Sequence, residues 1–402
     1  MTREQQFFLR VLADHIHGRP SAPPEGLDWE KLAEYAEEQA LSGLVYLQTR
    51  DFFQKHPDAA PGVAERLHRG FYSDVYLYAN RGAELKEFAR RCGDVPMVLI
   101  KGSVVQNDYP VPPLRSMGDV DLVIHTEDRA GTDAVLLAAG YRKMVTHHAV
   151  WSYEKDRVEF EIHDHMVYDQ LTNHVDYQAY FDQIWEHVHP ADGTANIYIP
   201  EKDFHFLYLI THLAKHIINS GMGFRTFLDL VFTAQRSGEQ MDWNRICGEL
   251  DKLKLLKFAK ICSAFCRRWF DVQLPIEPLP LDEGFFEEAT AKMFNDGVFG
   301  LDNAQNEAAR SARELRRSDR PYWRAALSLV RRQLFPSYRE MQLVPWYRFL
   351  DGRPWLLPAA WVYRWFYTAV HKFRQSRERL TEPFAKRDII EKRQKFMDGW
   401  GL

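Results

Sequence analysis

An apolar run that carries two acids, Gly118-Asp119-Val120-Asp121-Leu122-Val123-Ile124, sets the first limit on the fold. β-Branched and leucine side chains at this density favour an extended strand. On a strand, residues i and i+2 share a face. Asp119 and Asp121 therefore aim both carboxylates one way, while Val120, Leu122 and Ile124 enter a core. Two aligned carboxylates repel each other unless a cation lies between them. Hard divalent ions such as Mg²⁺ take oxygen ligands of this kind. Upstream, a second apolar run, Met97-Val98-Leu99-Ile100, ends at Lys101-Gly102-Ser103. A small, hydroxyl-bearing turn there lets backbone N–H groups approach a phosphate. An acid pair beside a phosphate cradle predicts phosphoryl or nucleotidyl transfer.

Metal-assisted nucleotidyl transfer uses three carboxylates and two ions. Val158-Glu159-Phe160-Glu161-Ile162-His163 alternates strictly, with Glu159, Glu161 and His163 on one face. Glu161 is the expected third acid and Glu159 the fallback. His163 is expected beside the phosphates or behind the metal ligands. Lys101 and Arg115 are candidate phosphate contacts, Lys as a point charge and Arg as a planar fork. Arg225 and Asp229 stand four apart in a helical pattern, where an intrahelical ion pair is the simplest expectation and a role behind the site the alternative. His212 and His216 are also four apart, on an apolar helix, and read as packed core histidines.

The pattern of the whole chain predicts an α+β fold. Residues 1–92 form an N-terminal helical segment, with Trp29–Gln48 and Ala64–Arg91 in helical period and a loop at Ser21–Pro24. Residues 93–200 change to short β-type runs, at Pro96–Ile100, Val120–Ile124, Ala149–Tyr153, Val158–His163 and Ile197–Ile199. A helix, Asp128–Ala139, intervenes and is closed by Gly140. Such a mixture predicts a small mixed sheet. Residues 201–300 return to helical period as a bundle, with helices at Phe204–Ile218, Phe224–Gln235, Trp243–Leu253 and Lys257–Phe270. Residues 301–402 are basic, aromatic-rich and helical. From Asn303 to Leu402 there are 21 Lys and Arg against 10 Asp and Glu, and 31 against 46 elsewhere. The net charge of −4 argues against a general polyanion binder. The basic tail either docks on the acidic body or meets an anionic partner such as RNA. The aromatic cluster Trp346, Tyr347, Trp355, Trp361, Tyr363, Trp365 and Tyr367 is interleaved with arginines. It reads as a helical core with snorkelling arginines more readily than as a base-stacking surface.

Four cysteines without a CxxC pair predict free thiols in a reducing, cytoplasmic compartment. The first residues carry no apolar signal core, and no run reaches the ~20 apolar residues of a spanning helix.

The residues Leu99-Ile100-Lys101-Gly102-Ser103, Asp108-Tyr109-Pro110, Arg115, Gly118-Asp119-Val120-Asp121-Leu122-Val123, Ala139-Gly140-Tyr141 and Glu161-Ile162-His163 together resemble the uncharacterised nucleotidyltransferase family of the DNA polymerase beta-like superfamily. Leu213-Ala214-Lys215-His216 and Arg225…Leu228-Asp229 resemble its helical half. The likeness runs over roughly residues 30–240. Fifteen residues lie between Ser103 and Asp119, where the superfamily has about ten. The resemblance implies a minimal catalytic sheet core, two Mg²⁺ (or Mn²⁺) ions and an NTP donor. It implies phosphate contacts from Gly102 and Ser103, and metal ligation by Asp119, Asp121 and Glu161. The hydroxyl acceptor (small molecule, protein or RNA) is not implied. A non-catalytic nucleotide-binding module and a toxin-like enzyme acting on tRNA are the alternatives on the same fold.

Overall fold

In the computed structural model the described residues are 1–144, 150–168, 171, 175–219, 223–297, 327, 330–331, 334–338, 341, 345–350, 352–371 and 387–402. Helices and a seven-stranded mixed sheet make an α+β fold. The chain divides into two compact units, one of residues 1–217, 221–300 and 400–402, the other of residues 218–220 and 301–399.

The first unit opens with α1 (Arg3–Ile16), α2 (Trp29–Glu38), α3 (Ser42–Lys55) and α4 (Pro61–Cys92). Thr2 and Gln5 cap α1 reciprocally, and Asp28 caps α2. The expected helix Trp29–Gln48 is two helices. Ala40 takes a left-handed φ of +51°, which stops the first. The buried Gln39 amide at the break donates to the Met293 carbonyl and accepts from the Phe224 N–H. Helix α4 starts on Pro61 and ends at Gly93, whose φ is +63°.

Seven strands follow: β1 (Met97–Leu99), β2 (Asp119–Val123), β3 (Arg142–Lys143), β4 (Val150–Lys155), β5 (Val158–His163), β6 (Val188–Pro190) and β7 (Ile197–Pro200). Their order is β3-β4-β5-β2-β1-β7-β6. Strand β2 runs parallel to β5 and antiparallel to β1, and β1 is parallel to β7. The five expected strands are present with small shifts of boundary; Ala149 lies outside the described residues. Two strands were not expected. Arg142-Lys143 and Val188-His189-Pro190 are too short and polar to show a period of two, and they pair only at the sheet's margins. One face of the sheet packs Val120, Leu122, Phe160 and Ile162 against Phe88 and Ala89 of α4 and Leu136 of α6 (Arg129–Ala138). The Phe88 and Phe160 rings lie 5.1 Å apart.

After the short α5 (Gly102–Val105) and α7 (Tyr177–Phe181), the helical part comprises α8 (Lys202–Asn219), α9 (Phe224–Ser237), α10 (Trp243–Lys252), α11 (Leu256–Phe270) and α12 (Glu283–Asp296). Its core is aromatic, with Phe224, Phe227, Phe265 and Trp269 buried together. Trp400 stacks on Phe265 with ring centres 4.6 Å apart.

The second unit holds turns at Pro345–Leu350 and Pro354–Leu356, then α13 (Leu357–His371) and α14 (Arg387–Gly399). Its small core is Met341, Tyr347, Leu350 and Ala360. Trp355, Tyr363, Trp365 and Tyr367 are exposed, contrary to the expectation of a buried aromatic cluster. Helix α13 is apolar nearly all round, and among the described residues this core meets it at Leu357, Ala360 and Trp361. Residues 303–326 and 372–386 of the basic stretch lie outside the described residues. Among the described residues, no helix is long and apolar enough to cross a membrane.

Candidate active site

The parallel pairing of β2 with β5 sets Asp119 opposite Glu159, Asp121 opposite Glu161 and Val123 opposite His163. The apolar residues between them face α4, so the acids collect on the other face. Asp121, Glu161 and His163 each offer a ligand atom, and these atoms lie within 4.8 Å of one another. His163 Nε2 is 2.9 Å from Asp121 Oδ1 and 3.6 Å from Glu161 Oε2. A carboxylate only accepts, so Nε2–H is the donor to Asp121. Asp119 and Glu159 stand one pair further along the same face, outside this cluster. The two carboxylates suit a hard divalent cation such as Mg²⁺ or Mn²⁺, and the imidazole can join them only once Nε2 gives up its proton and its bond to Asp121.

Lys101 links the Gly102-Ser103 turn to the acids. It follows β1 with φ +51°, a strained conformation for a side-chain-bearing residue. Its ammonium reaches 2.5 Å from Asp121 Oδ1 and 4.0 Å from Glu161 Oε2. Burial alone would push the Asp121 carboxyl up. The Lys101 charge and the His163 hydrogen bond outweigh burial and hold it well below the usual range. The Asp121 charge, and then burial, push Asp119 up to about 6. Burial and the adjacent Glu161 raise Glu159.

Arg115 is not a free phosphate ligand. It gives Nε and Nη2 to Asp229 of α9 at 2.9 and 2.7 Å, in a buried bidentate pair. Tyr109 donates to the same carboxylate at 2.7 Å. The third edge of the guanidinium, Nη1, lies against Gly102, where a Cβ would collide with it. The expected intrahelical pair of Arg225 with Asp229 does not form, because Arg115 takes the carboxylate. Arg225 instead donates to the Ser116 carbonyl at 2.5 Å. Arg81 of α4 donates to the next carbonyl, Met117, at 2.8 Å. Two arginines from two helices thus grip the turn that delivers Asp119.

Arg81 was not singled out from the sequence. A signal was present: Leu67, Asp74, Arg81 and Phe88 are buried at seven-residue spacing, so two charged residues occupy core positions of α4. Ser103 is buried, and its hydroxyl has no hydrogen-bond partner. It borders a cleft of about 490 Å³ that Arg81, Lys86, Gln106 and Met117 also line. His212 and His216 share a hydrogen bond of 3.2 Å between their Nε2 atoms, inside the helical core.

The family described as uncharacterised nucleotidyltransferase matches residues 25–271, from before α2 to the end of α11, and so takes in the whole sheet. Searches of curated proteins and of solved structures return no match.

Proposed function

The chain belongs to the uncharacterised nucleotidyltransferase family, and on that footing we propose that it moves an NMP group from an NTP to a hydroxyl acceptor, with Mg²⁺ or Mn²⁺ at the acid cluster. The observation that carries the reading is the convergence of Asp121, Glu161 and His163 within 4.8 Å, with Asp119 two residues upstream and Lys101 joining them to Gly102-Ser103. Asp119, Asp121 and Glu161 would hold the metal. A divalent ion bound there would lower the pKa of the attacking hydroxyl and offset the charge of the triphosphate.

The chain's own groups then divide the work. Gly102 and Ser103 bind the β- and γ-phosphates, and the Ser103 hydroxyl is unpaired and able to donate. Lys101 and the spare Nη1 of Arg115 add positive charge beside them. Glu161 or one of the aspartates takes the proton of the acceptor hydroxyl. The hydroxyl oxygen forms its bond to the α-phosphorus as the bond to the bridging oxygen breaks, and pyrophosphate leaves with the electron pair. Arg225 and Asp229 act from behind, through Ser116 and Arg115. In this reading residues 93–200 are the catalytic core. Residues 1–92 and 201–300 shape the acceptor side, and the basic residues 301–402 are an accessory part. Four free cysteines fit a reducing compartment, the cytoplasm.

The test incubates purified protein with each labelled NTP, Mg²⁺ or Mn²⁺, and cell extract, and follows pyrophosphate and the labelled product by mass. The double variant Asp119→Asn with Asp121→Asn is expected to lose about 100-fold or more of the pyrophosphate release. Unchanged NTP consumption in that variant sinks the assignment. Tight NTP binding by the wild type, with no pyrophosphate released over any acceptor, identifies a non-catalytic module instead.

A further inference from the structure

The cleft that Ser103 borders lies between α4 and α5, off the acid face of β2. Val120 lines it, and on a strand Val120 points away from Asp119 and Asp121. The inner wall is buried and includes Arg81, Ser103 and Met117. The outer rim is the exposed side of α4, where Gly82 leaves room and Lys86 stands. Nothing lies within 4 Å of the place a Gly82 Cβ would take. The volume of about 490 Å³ is that of a small-molecule site. None of the residues lining the cleft is acidic.

Two side chains of the inner wall keep a buried polar atom without a hydrogen-bond partner, Arg81 at Nε and Ser103 at Oγ. Such atoms are rare in native proteins and call for a cause. Arg81 is 4% exposed, and among the described residues its one hydrogen bond goes to the neutral Met117 carbonyl. Asp74, one heptad earlier, bonds Ser116 and acts on the guanidinium only through its charge. A buried cation without a paired carboxylate is costly. Helix α5 starts at Gly102, so no helical carbonyl stands a turn behind Ser103 to accept from its hydroxyl. Lys86 likewise makes no ion pair among the described residues. We propose that this cleft is a phosphate-binding pocket, in which Arg81 and Ser103 hold the phosphate oxygens from the inner wall and Lys86 from the rim. Two cations match the double charge of a phosphate monoester, where a carboxylate brings only one. The arginine fork and the hydroxyl both donate to its oxygens. The phosphate comes from one of two sources, the end of a nucleotide's triphosphate or a phosphate on another small molecule. A phosphate fits here whether or not the acid cluster catalyses transfer.

The test titrates full-length wild type, Lys86→Met and Gly82→Leu by calorimetry. The probes are inorganic phosphate, the α,β-methylene analogue of ATP with Mg²⁺, and adenosine as a phosphate-free control. Both substitutions lie on the exposed side of α4, and leucine favours a helix over glycine, so neither variant melts below the wild type. Lys86→Met removes one cation, and affinity for the phosphate probe falls about tenfold. Gly82→Leu keeps every charge but fills the cleft, and affinity falls by at least as much. Adenosine affinity does not change. Loss in both variants for the analogue marks a nucleotide's terminal phosphate as the occupant. Loss for inorganic phosphate alone marks a phosphate carried by another molecule. Equal affinity of all three proteins for both probes overturns the proposal. So does a loss confined to one variant, an equal loss for adenosine, or a wild type that binds neither phosphate probe.

Discussion

A methyl group on Gly102 would collide with Nη1 of Arg115 and Sδ of Met117. The glycine is therefore required for the close approach of a side chain. The left-handed backbone belongs to Lys101, one residue earlier, which carries its strain in order to point an ammonium at Asp121. Elsewhere buried histidines contribute to an acid limit, His15 among them alongside His205, His212 and His216. Burial pulls His15 down to about 4, against about 6.5 in an unfolded chain. As pH falls from about 6.5 to 4, the unfolded chain takes a proton that the fold refuses, so stability declines across that window. Urea unfolding at pH 7 and pH 4.5 is expected to show a loss for the wild type that is about 2 kcal/mol greater than for His15→Phe. An identical acid loss in both proteins would rule out this origin. At this scale much of the site was legible in the sequence. Asp119, Asp121, Glu161 and His163 follow from a period of two on two strands. The seven-residue spacing on α4 marks Arg81 as buried, but its bond to the Met117 carbonyl, 36 residues on, is a long-range fact that no local period encodes.

At the scale of elements, α9 reaches the site twice within one turn. Asp229 pins Arg115 against Gly102, and Arg225 holds the Ser116 carbonyl before Asp119. Truncating one partner of such a buried pair leaves an uncompensated charge, which costs about 3–5 kcal/mol. Arg115→Met or Asp229→Leu alone should each lower stability by that order, while the double variant recovers most of it. NTP affinity should stay low in the double variant, since the guanidinium beside Gly102 is gone. Full recovery of binding with stability would make the pair a packing device only, as calorimetry beside urea titration would reveal. The helical pattern anticipated α9 itself but chose the wrong partner for Asp229. An i to i+4 spacing makes a pair available, and the stronger bidentate geometry of Arg115, 114 residues away in sequence, decides it. The break at Ala40 was hidden for a similar reason. Its local sequence is a good helix, and the Gln39 contacts that favour stopping come from Phe224 and Met293.

At the scale of the whole molecule, the first unit closes over an aromatic core that Trp400 enters from far along the chain. Trp400 is fully buried among Phe227, Phe258 and Phe265. Trp400→Ala should cost about 3–5 kcal/mol of stability by urea unfolding, and a loss below 1 kcal/mol would show that the ring is dispensable. The order of the sheet has a separate consequence, for synthesis. Strand β1 pairs on one side with β2, which soon follows it, and on the other with β7, where Met97 meets Ile197. A growing chain on the ribosome therefore presents the apolar edge Met97-Val98-Leu99 without its second neighbour until β7 emerges. Over that interval an inner strand of the future sheet is an open edge, the kind of surface on which nascent chains aggregate or recruit chaperones.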